Sequence, residues 1–309
     1  MRSSSDSQET LRLKPGTLWA KVREQTKQAI AAQALQPLAT RYEMIEQNGI
    51  DFIVRVLSAD VLQKKEQGKP QKTAANFNPF LPYDENLFVA DISDTHLCLL
   101  NKYNALADHL LLVTREFEAQ ESWLTQQDFT AMWAALAEID GLVFYNAGKR
   151  AGASQRHKHL QLVPLPLATE GARLPIEPTI AAAVNNGSRT TRLPFVHAVL
   201  PLDFQKQPFQ AADATLDCYY TLLNAVGITP QTQNQHFPYN LLATRDWMLL
   251  VPRTQDEFAG ISVNALGFAG NLLVREEQLQ TLKEQQPMTI LQRVAIARTS
   301  SEAETINSL

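Results

Sequence analysis

His157-Lys-His-Leu-Gln161 places two imidazoles and a carboxamide at every second position. Side chains on a β-strand alternate between faces. His157, His159, Gln161 and Val163 therefore share one face, and Lys158, Leu160 and Leu162 the other. A strand face that is merely solvated more often carries Thr, Lys, Glu or Ser, so this one reads as chemistry. Three roles suit it. Two imidazoles could be metal ligands, but a structural zinc site wants four ligands and a catalytic one three plus water. Gln161 is a poor third ligand and no carboxylate neighbours the pair, so no metal site is assigned. One histidine could act as general base beside Ser154, although no Gly-x-Ser-x-Gly elbow surrounds that serine. Or a neutral imidazole could attack phosphorus itself. In that arrangement His159 attacks, His157 orients it or donates a proton, and Gln161 donates its amide to a phosphate oxygen. Preorganised donors must neutralise the developing charge. The turn Gly152-Ala153-Ser154-Gln155 offers backbone N–H groups and two polar side chains, and Lys72 and Lys102 can add positive charge.

The elements that position these residues follow from pattern. The motif runs as a strand to Pro164, fed by the turn Asn146 to Gln155 and, before it, a strand over Leu142–Tyr145. Phe129, Met132, Trp133, Leu136 and Ile139 recur at helical spacing, predicting a helix over Trp123–Ile139 with Thr125 as N-cap and Asp128 in the first turn. Asp51–Leu57, Leu87–Ala90, His96–Tyr103 and His109–Thr114 read as strands, the last two a hairpin. Residues 17–48 read as one or two helices broken near Pro37. Asn76-Phe-Asn-Pro-Phe-Leu-Pro82 reads as an ordered loop packed on the core, and residues 1–16 as flexible. Proline and small residues from Pro164 to about Thr191 suggest a join, dividing the chain into a catalytic half, 1–175, and a second half, 176–309. In the latter, Phe195–Leu200 reads as a strand, Thr215–Val226 as a helix, and Tyr239–Ala243 with Trp247–Val251 as a hairpin; a helical stretch follows Arg275. Asp108–Arg115 and Asp246–Arg253 echo each other, as in a duplicated half-domain of which only the first half kept its histidines.

Composition bounds the ligand. An apolar fraction of 45% and a charged fraction of 19% suit a soluble globular protein with a large core. A net charge of −4 provides no global basic field for nucleic acid, so phosphate must be met by locally placed cations and a small nucleotide is favoured. Cys98 and Cys218 form no CxxC pair, the N-terminus lacks a signal-peptide core, and no apolar run approaches the ~18 residues of a membrane span. The expectation is a cytoplasmic protein that contacts neither membrane nor nucleic acid.

His157-Lys-His-Leu-Gln161 after Gly152–Gln155 resembles the His-x-His-x-Gln signature of the transferase branch of the histidine-triad superfamily. Within it the chain is most similar to the diadenosine tetraphosphate phosphorylases, or ATP adenylyltransferases. Asn76–Pro82, Leu100-Asn-Lys-Tyr-Asn104, His109–Thr114 and Asn264-Ala-Leu-Gly-Phe-Ala-Gly270 carry the same likeness, which spans residues 50 to 275. The resemblance implies an α+β fold of histidine-triad-like antiparallel sheets flanked by helices, in two related halves. It implies a nucleotidyltransferase whose second histidine, here His159, attacks the α-phosphorus of diadenosine tetraphosphate, expels ATP and carries AMP until inorganic phosphate releases it as ADP. Lys72, Asn101, Lys102, Asn146, Gly152, Ala153, Ser154, Gln155 and Gln161 would contact nucleotide or phosphate, with Thr244, Arg245 and Arg253 added from the second half. No tightly bound cofactor is implied; Mg2+ can accompany the polyphosphate. Gln161 stands where hydrolases of the superfamily carry a third histidine, which favours transfer. The alternatives are a dinucleoside-polyphosphate hydrolase or other nucleotidyltransferase using the same histidine, or a nucleotide-binding module without turnover.

Overall fold

Asn48 and Gly49 both adopt positive φ, at 56° and 76°, the two-residue turn that matches the twist of a β-hairpin. Residues 40–47 are therefore not helical. After α1 (Leu18–Ala31), β1 (Thr40–Gln47) folds back on β2 (Ile50–Leu57) in unbroken antiparallel register from Thr40 opposite Leu57 to Gln47 opposite Ile50. The computed structural model describes residues 10–58, 77–203, 207–230 and 237–298. Residues 10–16 are docked, which corrects the expectation of flexibility for them: Arg12 and Leu13 donate their N–H groups to the Ile92 carbonyl, and Leu13 is buried.

Next come β3 (Phe88–Asp91), β4 (His96–Leu100), β5 (Leu110–Thr114), α2 (Gln126–Leu136), β6 (Gly141–Asn146) and β7 (His159–Pro164). The expected cap of α2 is present: the Thr125 hydroxyl takes the Asp128 N–H while the Asp128 carboxylate takes the Thr125 N–H. The segment read as a join contains α3 (Glu177–Asn185). Beyond it lie β8 (Ala198–Pro201), α4 (Pro208–Ala225), β9 (Tyr239–Ala243), β10 (Trp247–Pro252), the short pair β11 (Glu257–Phe258) and β12 (Ile261–Ser262), α5 (Ala265–Phe268), β13 (Asn271–Arg275), α6 (Leu279–Gln285) and α7 (Pro287–Val294). Pro208 opens α4 a full two turns before the predicted start, where a missing N–H costs nothing.

Eight strands form one antiparallel sheet in the order β3-β4-β5-β7-β6-β9-β10-β8. The pairing of β6 with β9 joins the halves in one continuous sheet. One face packs Leu110, Leu112, Leu160, Leu162, Leu241 and Leu250 beneath α1, α2 and α4. The other face is covered by the small sheet β1-β2-β13, in which β13 runs parallel to β2, and by α3 and α5 to α7. Toward β4 and β5 that cover is replaced by the Phe77–Pro82 loop, whose Phe80 packs with Leu97, Leu99, Leu111 and Val113. The strand alternation sends His159 and Gln161 to this second face, where the cover is thinnest.

Candidate active site

His159 is nearly enclosed. Its Nδ1 donates to the carbonyl of His157, 2.8 Å away, and the Phe80 ring meets it edge-on at 5.3 Å. Burial pushes the imidazole down to about 4, so the ring is neutral near pH 7. A neutral ring whose proton sits on Nδ1 carries its lone pair on Nε2, and no described residue bonds that atom. The backbone of His159 is gripped by a side chain rather than by a strand: the Gln120 carboxamide accepts its N–H at 2.9 Å and donates to its carbonyl at 3.2 Å. The same amide donates to the Asn146 carbonyl, so Gln120 stands between β6 and β7 where their ladder has ended.

His157 is held differently. Asn78 donates to Nδ1 at 2.9 Å, and Nε2 donates to the Thr114 and Glu116 carbonyls at 2.8 and 3.1 Å. Burial lowers this imidazole as well. With both nitrogens committed, His157 orients its neighbour through its backbone carbonyl; its ring proton is not presented to a ligand. The residue between the histidines projects to the opposite face. The Lys158 ammonium lies 2.7 Å from Asp128 and 3.0 Å from Glu118, and Asp128 also meets His96 at 3.1 Å. Burial alone would raise the Asp128 carboxyl, but His96 and Lys158 outweigh it and hold it well below the usual carboxylate range.

A cleft of about 290 Å³ opens beside His157, lined by Phe77, Asn78, Pro79, Phe117, Gln155, Arg156 and His157. Phe77 and Phe117 are exposed at its mouth. Of the expected turn residues, Gln155 lines this cleft and Ser154 is exposed beside it. The backbone N–H groups of Gly152 and Ala153 are not available as expected. They close the preceding turn on the carbonyls of Lys149 and Gly148, which leaves the donors of Ser154 and Gln155 for an anion. Gly152 serves the packing instead: at φ +89°, a Cβ there would lie 2.7 Å from the Val263 carbonyl oxygen.

Asn101 reaches the site through His109, which contacts Gln161. Lys102 extends from the β4–β5 connection with its ammonium 5.9 Å from the Tyr103 ring centre and is not among the cleft residues. Lys72 lies outside the described residues. Asn146 is buried, its carboxamide oxygen committed to Asn240 and to the Ala265 N–H. Arg253 is occupied by protein acceptors. It is buried and donates to Asn240 and to the carbonyls of Ala151, Val263, Gln255 and Val294, which ties the glycine turn to the second half. Burial lowers its guanidinium to about 10. Thr244 and Arg245 occupy the β9–β10 turn, four residues along the sheet from Asn240, and Arg245 donates to the Leu136 carbonyl at the end of α2. The strand register carries them away from the histidines.

Gln120, Asn78, Phe80, His109 and Arg156 complete the arrangement. Asn78, Phe80 and His109 lie in segments that carry the family likeness, with no role assigned to them; Gln120 carries no sequence signal at all. The second half also retains a histidine. β8 pairs with β10 in the register that β7 has with β5, Leu249 opposite Val199 as Leu111 is opposite Gln161. Two residues on, just past the last paired residue Ala198, His197 falls where His159 does when the register is continued, contrary to the expectation that only the first half kept histidines.

An antiparallel sheet presenting a neutral histidine with an open Nε2, beside a cleft bearing an arginine, has the chemistry that histidine-centred group transfer requires. Comparison with known proteins narrows this class. The family description "Ap4A phosphorylase N-terminal domain" matches residues 8–182, and "ATP adenylyltransferase C-terminal domain" matches residues 191–297. The chain belongs to this family of nucleotidyltransferases. It is 29% identical over 238 residues to diadenosine 5',5'''-P1,P4-tetraphosphate phosphorylase 2 of Saccharomyces cerevisiae, covering 67% of this chain and 72% of the relative. To Protein APA1 of the same yeast it is 28% identical over 255 residues, covering 74% and 78%. The crystal structure of yeast Ap4A phosphorylase Apa2 in complex with AMP superposes with a TM-score of 0.75 at 25% identity, covering 94% of this chain and all of that one. Among the described residues no helix is long and apolar enough to cross a membrane.

Proposed function

We propose that this chain catalyses the reversible phosphorolysis of diadenosine tetraphosphate (Ap4A) to ATP and ADP. The observation that carries the reading is the protonation pattern of His159: Nδ1–H is given to the His157 carbonyl, so the lone pair of a neutral ring is on the open Nε2. That nitrogen attacks the α-phosphorus of one adenosine. An N–P bond forms, the bond to the bridging oxygen breaks, and ATP leaves with that oxygen, while AMP stays on the imidazole. An oxygen of inorganic phosphate then attacks the same phosphorus, the N–P bond breaks, and ADP departs as Nε2 regains its lone pair. The partners are thus Ap4A, ATP, ADP and inorganic phosphate.

The remaining residues serve charge and position. Gln161 donates to an oxygen of the transferred phosphoryl group; Ser154, Gln155 and Arg156 meet the polyphosphate at the cleft, with Lys72, Lys102 and Asn146 Nδ2 as further contacts and Asn101 acting through His109. A cytoplasmic setting, which supplies these nucleotides, accords with the two free cysteines, Cys98 and Cys218. The test supplies Ap4A with and without inorganic phosphate and identifies the products. ATP plus ADP formed only with phosphate is expected. ATP plus AMP without phosphate would make the chain a hydrolase, and binding without turnover would make it a module.

A further inference from the structure

Gln161 ends a line of hydrogen bonds that all point one way. The Tyr103 N–H donates to the Asn101 carboxamide oxygen at 3.4 Å, which turns the Asn101 amide toward His109 Nδ1 at 3.2 Å. Nδ1 is then an acceptor, and the one proton of a neutral ring lies on Nε2. His109 Nε2 meets the Gln161 carboxamide oxygen at 3.0 Å. That ring is buried, tilted against Phe144 at 5.7 Å, and pushed down to about 4 by burial, so it stays neutral near pH 7. Gln161 itself is only half-buried, and its amide nitrogen bonds to no described residue.

A free carboxamide has no preference between its two ends, because oxygen and NH2 are nearly the same size and exchange by a half-turn. The direction matters at a phosphoryl group, where an NH2 stabilises the developing negative charge and an oxygen repels it. Resting on the phosphoryl-transfer reading above, we propose that His109 is a positioning residue: its Nε2–H captures the Gln161 oxygen and so aims the Gln161 amide N–H groups at the transferred phosphoryl group. His109 touches no reacting atom. It sets the sign of the dipole that does.

His109→Leu removes the capture without removing Gln161. Losing a hydrogen bond to a charged group costs on the order of tenfold to a hundredfold, and that loss is expected in kcat for phosphate-dependent Ap4A turnover, with KM within about twofold. His109→Gln, which can donate an amide N–H to the same oxygen, is expected to restore most of the rate. In a Gln161→Ala background His109→Leu should change nothing further. Additive losses in the double variant, or full activity in His109→Leu, would overturn the proposal. The ring nitrogens give a readout independent of turnover. By nitrogen NMR on the full unliganded chain, His109 should be the neutral Nε2–H tautomer near pH 7, and an Nδ1–H tautomer would sink the idea. Failure of the wild-type chain to turn over Ap4A would overturn the functional reading instead. Should His109→Leu fail to fold, His109→Gln and the wild-type tautomer still decide.

Discussion

Strand β7 and the residue just before β8 hold the same histidine in two conditions. His159 and His197 occupy matching places beside β5 and β10, and each donates Nδ1–H to the carbonyl two residues earlier, at 2.8 Å in both. Burial lowers both rings to about 4. What differs is the other nitrogen. His159 Nε2 is open, whereas His197 Nε2 accepts the Thr191 N–H at 2.8 Å and faces its hydroxyl at 3.0 Å. The companions differ too. Phe195, Val196 and Val199 stand where the first half has His157, Lys158 and Gln161, and Trp247 stands where it has His109. The Trp247 indole N–H finds no acceptor among the described residues, in the place where His109 donates to Gln161. The fold thus supplies the ring orientation twice, and only at His159 is Nε2 without a described partner and flanked by polar side chains.

The comparison can be broken most directly at the proposed nucleophile. His159→Asn should lower Ap4A turnover by at least about a thousandfold and abolish a trappable adenylyl-enzyme while nucleotide still binds. An adduct persisting in that variant would mean His197 or another group can attack. Lys158→Met should cost about 3–5 kcal/mol in denaturant unfolding, because it leaves the Asp128 charge buried without its cation, held only by His96 and the Thr125 cap. Adding Asp128→Asn should recover part of that loss, an interaction with no counterpart at Val196.

His197→Leu should cost about 1–3 kcal/mol, since it strands the buried Thr191 N–H, yet leave turnover unchanged within about twofold. A large loss of rate would place the second-half histidine in the mechanism. The same variant sharpens the pH dependence. His109, His159 and His197 lie near 4 when folded but at their ordinary value, near 6.5, when unfolded. Between those values only the unfolded chain binds these protons, so stability is full above about pH 6.5 and falls as pH drops toward 4. Each histidine contributes a slope of up to about 1.4 kcal/mol per pH unit, and His197→Leu should remove one such contribution. Smallest of all, Arg245→Ala should alter kcat/KM by less than about twofold, because its turn lies at the far end of β9. A loss of tenfold would restore it to the nucleotide site.

Much of the fold was legible because the signals were local. Thr125 and Asp128 announced the start of α2, and alternation on β7 separated His159 and Gln161 from Leu160 and Leu162 before any contact was known. The hairpin of β1 and β2 is legible in principle, since Asn48-Gly49 is a strong turn signal, but the helical reading of residues 17–48 runs through β1 up to that turn. The site was harder. Gln120 reaches His159 across 39 residues of sequence with no periodicity to betray it. The Gly152 and Ala153 amides looked like anion donors because sequence identifies a glycine turn, not the carbonyls that consume its N–H groups.

The sequence by itself determined the type and face of the proposed nucleophile, the family, and the echo between β5 and β10, because those depend on residue identity and a period of two. Only the tertiary structure decided which nitrogen of each histidine is free. That choice depends on which carbonyls and amides from distant segments arrive within hydrogen-bond reach, and partners that chain folding alone brings together tie Nε2 of His197 and leave that of His159 unbonded.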